Sequence, residues 1–275
     1  MEVNVYIPHP ALREFVLSIA TVKAVLPPGT SEVVNPYPPT PFQSLLFYSQ
    51  HPVGMNRNDN GTFDPQPLTV LTGPQFSRVN IKVAGQLNAV RVDFLPGGLY
   101  RLLGVPMNKL FDEGYDAAHF FGPGIHSIND QLQDTDDPAQ SKDIVEAFLL
   151  ARLSSKRDIL PFDHAMQALL RNNGAMSVEQ TASLACLSIK QFERKCLERI
   201  GMTPKTYARV LRFSRAYRLH EAFPHLSWTR IAHEAAYYDQ MHMIRDFKVF
   251  AGVNPSVIEQ QLRSTPLRMQ KDLFY

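Results

Sequence analysis

Two short stretches of the chain, about fifty residues apart, carry side chains that can bond the edges of nucleic-acid bases. The candidates in the first stretch are Lys190, Gln191, Glu193 and Arg194, and those in the second are Gln240, His242, Arg245 and Lys248. Arg, Lys and Gln bond base edges in the major groove of DNA, which is wide enough to admit an α-helix. If both stretches are helices, each can place one face in a DNA groove.

The two arginines, Arg194 and Arg245, occupy matched positions. Each is a candidate for a paired hydrogen bond to guanine, and the alternatives are a phosphate contact or a surface ion pair with an acid such as Glu198. Glu193 either accepts from cytosine or orients Arg194, and the second role is favoured. Lys248 is expected to contact phosphate, which adds salt dependence without specificity.

Both stretches belong to a repeated unit. At an offset of 50 residues Ser177 matches Ser227 and Ala182 matches Ala232, and at an offset of 51 Gly201 matches Gly252 and Pro204 matches Pro255. A repeat indicates two copies of one supersecondary unit. Gly after a helix and Pro at the start of the next are end and start signals. Each copy is therefore predicted to be a helix, a tight turn and a second helix.

The C-terminal part of the chain is predicted to be all-α. Seven helices are expected, at roughly 162–172, 177–185, 189–200, 204–222, 227–236, 240–250 and 255–263. In the first unit, the apolar side chains expected to face inward include Leu184, Phe192 and Cys196.

The N-terminal part has a different pattern. Of the 21 prolines, 16 precede residue 161, and runs such as QSLLFYS, LTVLTG, RVNIKVAG and NAVRVDFLPGG lie between them. Alternating runs between turn signals predict a mainly β domain with a few helices, either a small barrel, with a cupin-like one included, or a sandwich. We predict a β-rich regulatory domain at 1–135, a linking helix at 136–160 that begins with Asp137 as N-cap, the helical domain at 161–267 and a tail at 268–275.

Charge is distributed unevenly between these parts. Residues 1–160 hold 12 Lys and Arg against 16 Asp and Glu, whereas residues 161–275 hold 16 against 10. A basic C-terminal part beside an acidic N-terminal part favours a polyanionic partner for the former. Ordinary scatter of charge is the other interpretation.

The C-terminal region resembles the double helix-turn-helix DNA-binding domain of the AraC/XylS transcription regulators. The resemblance rests on the strings GMTPKTY and RDFKVFAGVNP at their separation and covers roughly residues 163–267. It implies seven helices, with a long helix joining the two units. A helix of about 17 residues spans roughly 26 Å, comparable with the roughly 34 Å between successive major-groove segments.

The tight turns depart from the family pattern. Family members usually carry Gly there, and this chain has Cys186 and Ala236. Neither residue favours positive φ, so a strained or differently shaped turn is expected.

The strings LTGPQFS and VRVDFLPGGLYRLLGVPMNKLFDE resemble an uncharacterised domain found ahead of AraC-type DNA-binding domains. The resemblance implies a regulatory domain that either senses a small molecule or mediates dimerisation. Arg91, Asp93 and Tyr100 are polar residues among apolar neighbours and are candidates for an effector pocket. The alternative for each is a surface-facing position on a strand.

Other classes of function have little support. No N-terminal histidines have H-x-H or H-x₃-H spacing, no G-x-S-x-G or P-loop pattern occurs, and no enzymatic activity, metal or cofactor is predicted. Cys186 and Cys196 are too few for a disulfide framework or a four-cysteine zinc site, and a redox switch is not favoured. No membrane span or signal peptide is predicted, so a cytoplasmic location is expected.

These observations predict a sequence-specific transcription regulator that binds the major groove of double-stranded DNA. A small-molecule effector, a homodimer contact and RNA polymerase are its expected further partners. The alternative is an interaction or dimerisation protein with degenerate DNA reading, supported only by the altered turns.

Overall fold

The computed structural model describes residues 1–57, 60–153 and 157–264, together with Leu267 and Gln270. The N-terminal part is built mainly from strands and the C-terminal part from helices, as the sequence predicts. The strands are β1 (Glu2–Tyr6), β2 (Val16–Val25), β3 (Glu32–Tyr37), β4 (Ser44–Tyr48), β5 (Gly54–Asn56), β6 (Asp64–Pro65), β7 (Thr69–Thr72), β8 (Val79–Ala84), β9 (Gln86–Phe94) and β10 (Gly114–Asp116).

The strands form two antiparallel sheets that face each other. The larger sheet has the order β1-β2-β9-β4-β7-β10, and the smaller has the order β3-β8-β5-β6. On β9, Arg91 is paired with Ala20 of β2 and Leu46 of β4. Because side chains alternate along a strand, these three face the smaller sheet, while Val90 and Val92 face away from it.

Short helices cover the other face of the larger sheet. They are α1 (Gly98–Leu103), α2 (Ala118–Phe121), α3 (His126–Gln133) and α4 (Pro138–Leu150). Phe148 of α4 meets Phe47 of β4 edge to face, with ring centroids 6.0 Å apart, and both lie in one apolar cluster with Val90 and Val92. Asp137 caps α4 by accepting from the backbone N–H of Ala139. Its role as N-cap is confirmed.

The C-terminal helices follow the predicted ones to within two residues at each end. They are α5 (Pro161–Arg171), α6 (Val178–Leu184), α7 (Ile189–Arg199), α8 (Pro204–Ala222), α9 (Trp228–Glu234), α10 (Gln240–Phe250) and α11 (Pro255–Ser264). Side chains of Ser177, Ser188, Thr203, Ser227 and Asp239 cap five of them. These caps satisfy backbone N–H groups that have no partner inside the helix.

The central helix of this domain is α8, whose 19 residues span about 28 Å. Phe213 of α8 is fully buried, with its ring centroid 4.9 Å from that of Phe247 and 5.2 Å from that of Phe250 on α10. One apolar cluster joins both helix-turn-helix units to α8. The units are therefore held in a fixed relation by a shared core.

The prediction that Leu184 faces inward is wrong, because its side chain is 53% exposed. The buried stripe of α6 runs through Thr181, Ala182 and the following Ala185, and Leu184 lies beyond its edge. Most of the predicted tail at 268–275 lies outside the described residues. Gln270 is buried, and its side-chain amide donates to the carbonyl of Pro38 at 2.8 Å.

Candidate nucleic-acid interface

The first unit consists of α6 and α7, and the second unit consists of α9 and α10. Their turns have the same hydrogen bonds. The N–H of Leu187 donates to the carbonyl of Ala182 at 3.0 Å and that of Cys186 to Ser183 at 3.0 Å, while Tyr237 donates to Ala232 at 3.0 Å and Ala236 to His233 at 3.1 Å. This pair of hydrogen bonds is the Schellman motif, in which a helix ends at a residue in the left-handed conformation.

The residues in the left-handed conformation are Cys186, with φ of 54°, and Ala236, with φ of 58°. A residue with a Cβ atom is strained there by about 1–2 kcal/mol relative to the right-handed region. Each turn therefore has the backbone shape that Gly would give it. Cys186 and Ala236 adopt this shape at the cost of local strain. The expectation of strain fits this geometry.

None of the eight predicted DNA-binding side chains is buried. Gln240 and His242 are half-buried, and the other six are exposed: Lys190, Gln191, Glu193, Arg194, Arg245 and Lys248. The buried faces of α7 and α10 carry Phe192 and Cys196, and Met243 and Phe247. Each helix thus turns an apolar face to the core and a polar face outward, as the spacing predicts.

Three of these eight side chains already have local partners. The side-chain oxygen of Gln191 accepts from the backbone N–H of Ser188 at 3.1 Å, which completes a capping box. Gln240 accepts from the hydroxyl of Thr229 at 2.8 Å. The ring of His242 meets Tyr237 edge to face at 5.5 Å. A local role therefore competes with base contact at each of them.

The basic members of the set stand apart from such partners. In the described part of the chain, Arg194, Arg245, Lys190 and Lys248 form no ion pair. Glu198, the acid considered as a partner for Arg194, instead accepts from the hydroxyl of Tyr100 at 2.8 Å. Exposed, unpaired cations on one helix face can meet phosphates or bases without first breaking an internal bond.

Two exposed side chains beside α10 are not in the predicted set of DNA contacts. Tyr238 follows the turn of the second unit and is 94% exposed, and Met241 in the first turn of α10 is 59% exposed. Because an apolar side chain can contact the methyl group of thymine, both belong with the candidate interface. Their signal in the sequence was two large residues at positions that the core does not use.

A buried ion pair holds the second helix of each unit in place. On α7, Arg199 donates to both oxygens of Asp163 on α5, at 3.2 and 3.1 Å. On α10, Asp246 accepts two bonds from Arg209 of α8, at 2.9 and 2.8 Å. Asp163 and Asp246 are each only 1% exposed, so each carboxylate depends on its arginine for compensation.

Two of the three effector candidates lie together between the sheets. Nε of Arg91 donates to Asp93 at 2.7 Å, Nη1 to the hydroxyl of Tyr37, and Nη2 to Ser44 at 3.3 Å. Burial disfavours the charge of Arg91, but the interactions with Asp93 and Tyr37 together outweigh this and raise the arginine's pKa. Burial also raises the pKa of Tyr37. The cluster is therefore an ionised pair beside a neutral phenol.

The third effector candidate, Tyr100, does not lie with Arg91 and Asp93 between the sheets. It lies on α1, against the C-terminal end of α7, where its ring also stacks with the guanidinium groups of Arg157 and Arg199 at 5.1 and 4.9 Å. Burial, and then the bond to Glu198, raise its pKa. The structure thus separates Tyr100 from Arg91 and Asp93 and places it at the domain boundary.

Further contacts join the N-terminal domain to α7. The side-chain amide of Gln43 donates to the carbonyl of Ile200 at 3.1 Å. Gly201 ends α7 with φ of 87°, and a Cβ atom there would collide with Pro74 and lie 2.8 Å from the carbonyl oxygen of Met107. α10 meets the same domain through Phe250, whose ring lies 5.3 Å from that of Phe76.

The two cysteines differ in environment, since Cys186 is exposed and Cys196 is buried. Burial raises the pKa of the Cys196 thiol, which keeps it neutral and unreactive. Within the described ranges, no three His, Cys, Asp or Glu side chains form a group that could hold a metal ion. Among the described residues, no helix is long and apolar enough to cross a membrane.

Two family models match the chain. A helix-turn-helix domain matches residues 181–261, and a domain of unknown function (DUF6597) matches residues 4–116. No curated protein matches the sequence. The helix-turn-helix match contains the turns of both units. The DUF6597 match contains all ten strands except the first residues of β1.

Several solved structures are similar at low identity. ToxT from Vibrio cholerae strain SCE256, bound to an unsaturated fatty acid, has 13% identity and a TM-score of 0.48, covering 87% of this chain and 99% of that one. The DNA-binding domain of AdpA in complex with a target DNA has 20% identity and a TM-score of 0.36, covering 38% and 96%. The AraC-like transcriptional activator CuxR has 12% identity and a TM-score of 0.28, covering 79% and 87%.

The predicted resemblance in both parts of the chain is confirmed by these family matches. The C-terminal part of this chain is an AraC-type helix-turn-helix domain of a DNA-binding transcription regulator, and its N-terminal part belongs to a domain family of unknown function.

Proposed function

We propose that this regulator reads DNA sequence with α7 and α10, which lie in two successive segments of the major groove. The observation that carries the proposal is the match between the two units. They share a Schellman turn, a C-terminal glycine in the left-handed conformation and an exposed arginine at the same position, Arg194 or Arg245. Two copies of one reading unit in a common core suit two neighbouring stretches of one DNA face.

The length of α8 supports this spacing. Its 19 residues span about 28 Å, close to the roughly 34 Å between successive major-groove segments. The two units also share one apolar core with α8. Binding therefore needs little rearrangement between the units.

Each side chain has an assigned role in this proposal. Arg194 and Arg245 contact guanine or phosphate, and Lys190 reaches the groove one turn before Arg194. Gln191 joins them once its capping bond is exchanged for a base contact, while Glu193 orients Arg194. In the second unit, Lys248 contacts phosphate, and Gln240 and His242 contribute less because they are half-buried.

An interaction protein with degenerate DNA reading has less support. Its sequence argument was the replacement of Gly in both turns, and the turns at Cys186 and Ala236 keep regular hydrogen bonds. The N-terminal domain is proposed to regulate DNA binding by holding a small-molecule effector near Arg91 and Asp93, or by homodimerisation. Contact with RNA polymerase stays a prediction.

Random-site DNA selection with the purified protein tests the proposal. The expected motif has two blocks about one helical turn apart. Arg194→Ala is expected to relax one block and Arg245→Ala the other, each with a loss of about 1–3 kcal/mol of discrimination. Measuring the DNA affinity of each variant at several salt concentrations would separate base contacts from phosphate contacts. Loss of a phosphate contact changes how steeply the affinity falls with salt but does not change sequence preference.

The matched control is Arg13→Ala, which removes an exposed arginine from the N-terminal domain and should leave both blocks intact. Absence of any enriched motif at moderate salt, with and without cell extract as a source of effector, would contradict sequence-specific reading.

A further inference from the structure

The two sheets of the N-terminal domain enclose a cavity of about 110 Å³. Since about 10–15 Å³ is enough for one water, the cavity has room for several waters, or for a molecule of about ten non-hydrogen atoms. Its body is apolar, with Leu46, Val70 and Ile81 among the lining side chains. Small side chains at Ala20 and Ala89 leave the space beside Arg91 open.

Polar groups are concentrated at one end of the cavity. Arg91, Tyr37 and Ser44 line it there, and Asp93 lies behind them and accepts from both Arg91 and the hydroxyl of Ser44, at 2.7 and 2.5 Å. All four side chains are at least nine-tenths buried. This end can therefore give hydrogen bonds to a ligand without contact with bulk water.

Every charged side chain that lines the cavity is already compensated within the described residues. The guanidinium of Arg91 is bonded to Asp93. Arg57 pairs with Glu113 at 3.4 Å. The carboxylate of Asp112 accepts from the backbone N–H groups of Phe76 and Ser77, at 2.8 and 2.9 Å. An ionised ligand would lose its hydration here without finding an uncompensated opposite charge.

We propose that this cavity binds an uncharged, mainly apolar molecule of about ten non-hydrogen atoms, whose single polar group bonds the cluster of Arg91, Tyr37 and Ser44. Carboxylic acids and amines of the same size are excluded in their ionised forms. As an assignment of the effector, this inference rests on the proposed function, but binding to the cavity can be measured without DNA.

Calorimetric titration of the full chain at pH 7 with three matched probes tests the chemical class: 1-octanol, octanoate and octylammonium. The expected result is that 1-octanol binds at least tenfold more tightly than either ion. Equal or tighter binding of octanoate or octylammonium would overturn the assignment to uncharged molecules. Failure of all three to bind at millimolar concentration would overturn the cavity as a ligand site.

Two variants locate the binding. Ala89→Leu fills the cavity and should reduce 1-octanol binding at least tenfold, while Ala84→Leu, at an exposed position on β8, should not. Unchanged binding in a folded Ala89→Leu protein would overturn the location.

Asp93→Asn tests the charge argument independently and covers the case in which Ala89→Leu does not fold. It removes the carboxylate that compensates Arg91 and should improve octanoate binding at least tenfold, whereas the exposed Asp64→Asn should leave it unchanged. If Asp93→Asn does not improve octanoate binding, then neutralisation of Arg91 by Asp93 does not keep carboxylates out of the cavity, and the charge argument is wrong. A protein that binds 1-octanol but selects no DNA motif would refute the proposed function and leave the cavity assignment intact.

Discussion

The two helix-turn-helix units have the same backbone geometry but are anchored by different side chains. In the first unit the arginine of the buried ion pair is on α7 and its carboxylate, Asp163, is on a supporting helix. In the second unit the order is reversed, since Asp246 is on α10 and Arg209 is on α8. The two units thus share the turn and the helix ends, while each has its own anchor.

The units also differ in their contact with the N-terminal domain. The end of α7 is held by Tyr100, by Gln43 and by close packing at Gly201. At the matching Gly252, an added Cβ atom would meet nothing within 4 Å. A structural change in the N-terminal domain therefore acts on the first unit through several direct contacts. It acts on the second unit through fewer contacts, of which the packing of Phe250 is one.

The largest expected effect comes from breaking the two anchors. Arg199→Ala and Arg209→Ala each leave a buried carboxylate without its partner and should lower the free energy of unfolding by about 3–5 kcal/mol. Urea denaturation measures this. The control is Arg230→Ala, which breaks an ion pair whose arginine is 64% exposed and should cost less than about 1 kcal/mol. Equal effects at all three positions would show that the anchors are not special.

The next effect separates the units by their contact with the N-terminal domain. Gly201→Ala and Gly252→Ala both place a Cβ atom at positive φ, which costs about 1–2 kcal/mol. Only the first also collides with Pro74 and Met107, and overpacking of this kind costs about 1–3 kcal/mol more. Thermal unfolding should therefore show the larger loss for Gly201→Ala. Equal losses would contradict tight docking of α7.

A smaller effect is expected at the bond between Tyr100 and Glu198. Tyr100→Phe keeps the ring but removes the hydroxyl, and loss of a hydrogen bond to a carboxylate costs about 1.5–3 kcal/mol. Amide hydrogen exchange should become faster at the end of α7 and stay unchanged in α10. Tyr115→Phe, which removes an exposed hydroxyl, is the control. Faster exchange in both helices would mean that the two units share this coupling.

The smallest effect concerns the turns themselves. Cys186→Gly and Ala236→Gly each remove strain of about 1–2 kcal/mol from the folded protein. Glycine also increases the conformational entropy of the unfolded chain, which lowers stability by about 0.4–1 kcal/mol. A net stabilisation of about 0.5–1 kcal/mol is expected for each, measured by urea denaturation. Since the two turns have the same hydrogen bonds, the changes should have the same sign. Opposite signs would show that the turns are not equivalent.

Much of the helical domain was predictable because its signals are local. N-caps such as Ser177 and Ser188, glycines after helices and prolines before them mark each boundary in the sequence. The strand β2 was not among the predicted runs, although it is the longest in the domain. It is covered by helices on one face and by the cavity on the other, so its residues show no polar and apolar alternation.

The candidate sites were predicted less evenly. The exposed face of α7 follows from helical periodicity, so Arg194 could be placed from sequence. The sequence marks Arg91 and Asp93 as candidates for a pocket, but their ion pair with each other is visible only in the structure. Tyr100 is predicted to line the same pocket because it is a polar residue among apolar neighbours, but α1 turns the chain away and places its side chain against α7. The position of a residue in the sequence does not predict which distant element its helix packs against.

The two-part organisation, the seven C-terminal helices, the repeated unit and the outward basic faces can all be predicted from the amino-acid sequence, because caps, breakers and periodicity act over a few residues. Three features depend on the packing of the folded chain: the left-handed conformation of Cys186 and Ala236, the opposite directions of the anchoring ion pairs, and the contacts of Tyr100 and Gly201 between the domains. These features depend on contacts between residues distant in sequence, and such contacts are fixed by how the elements pack.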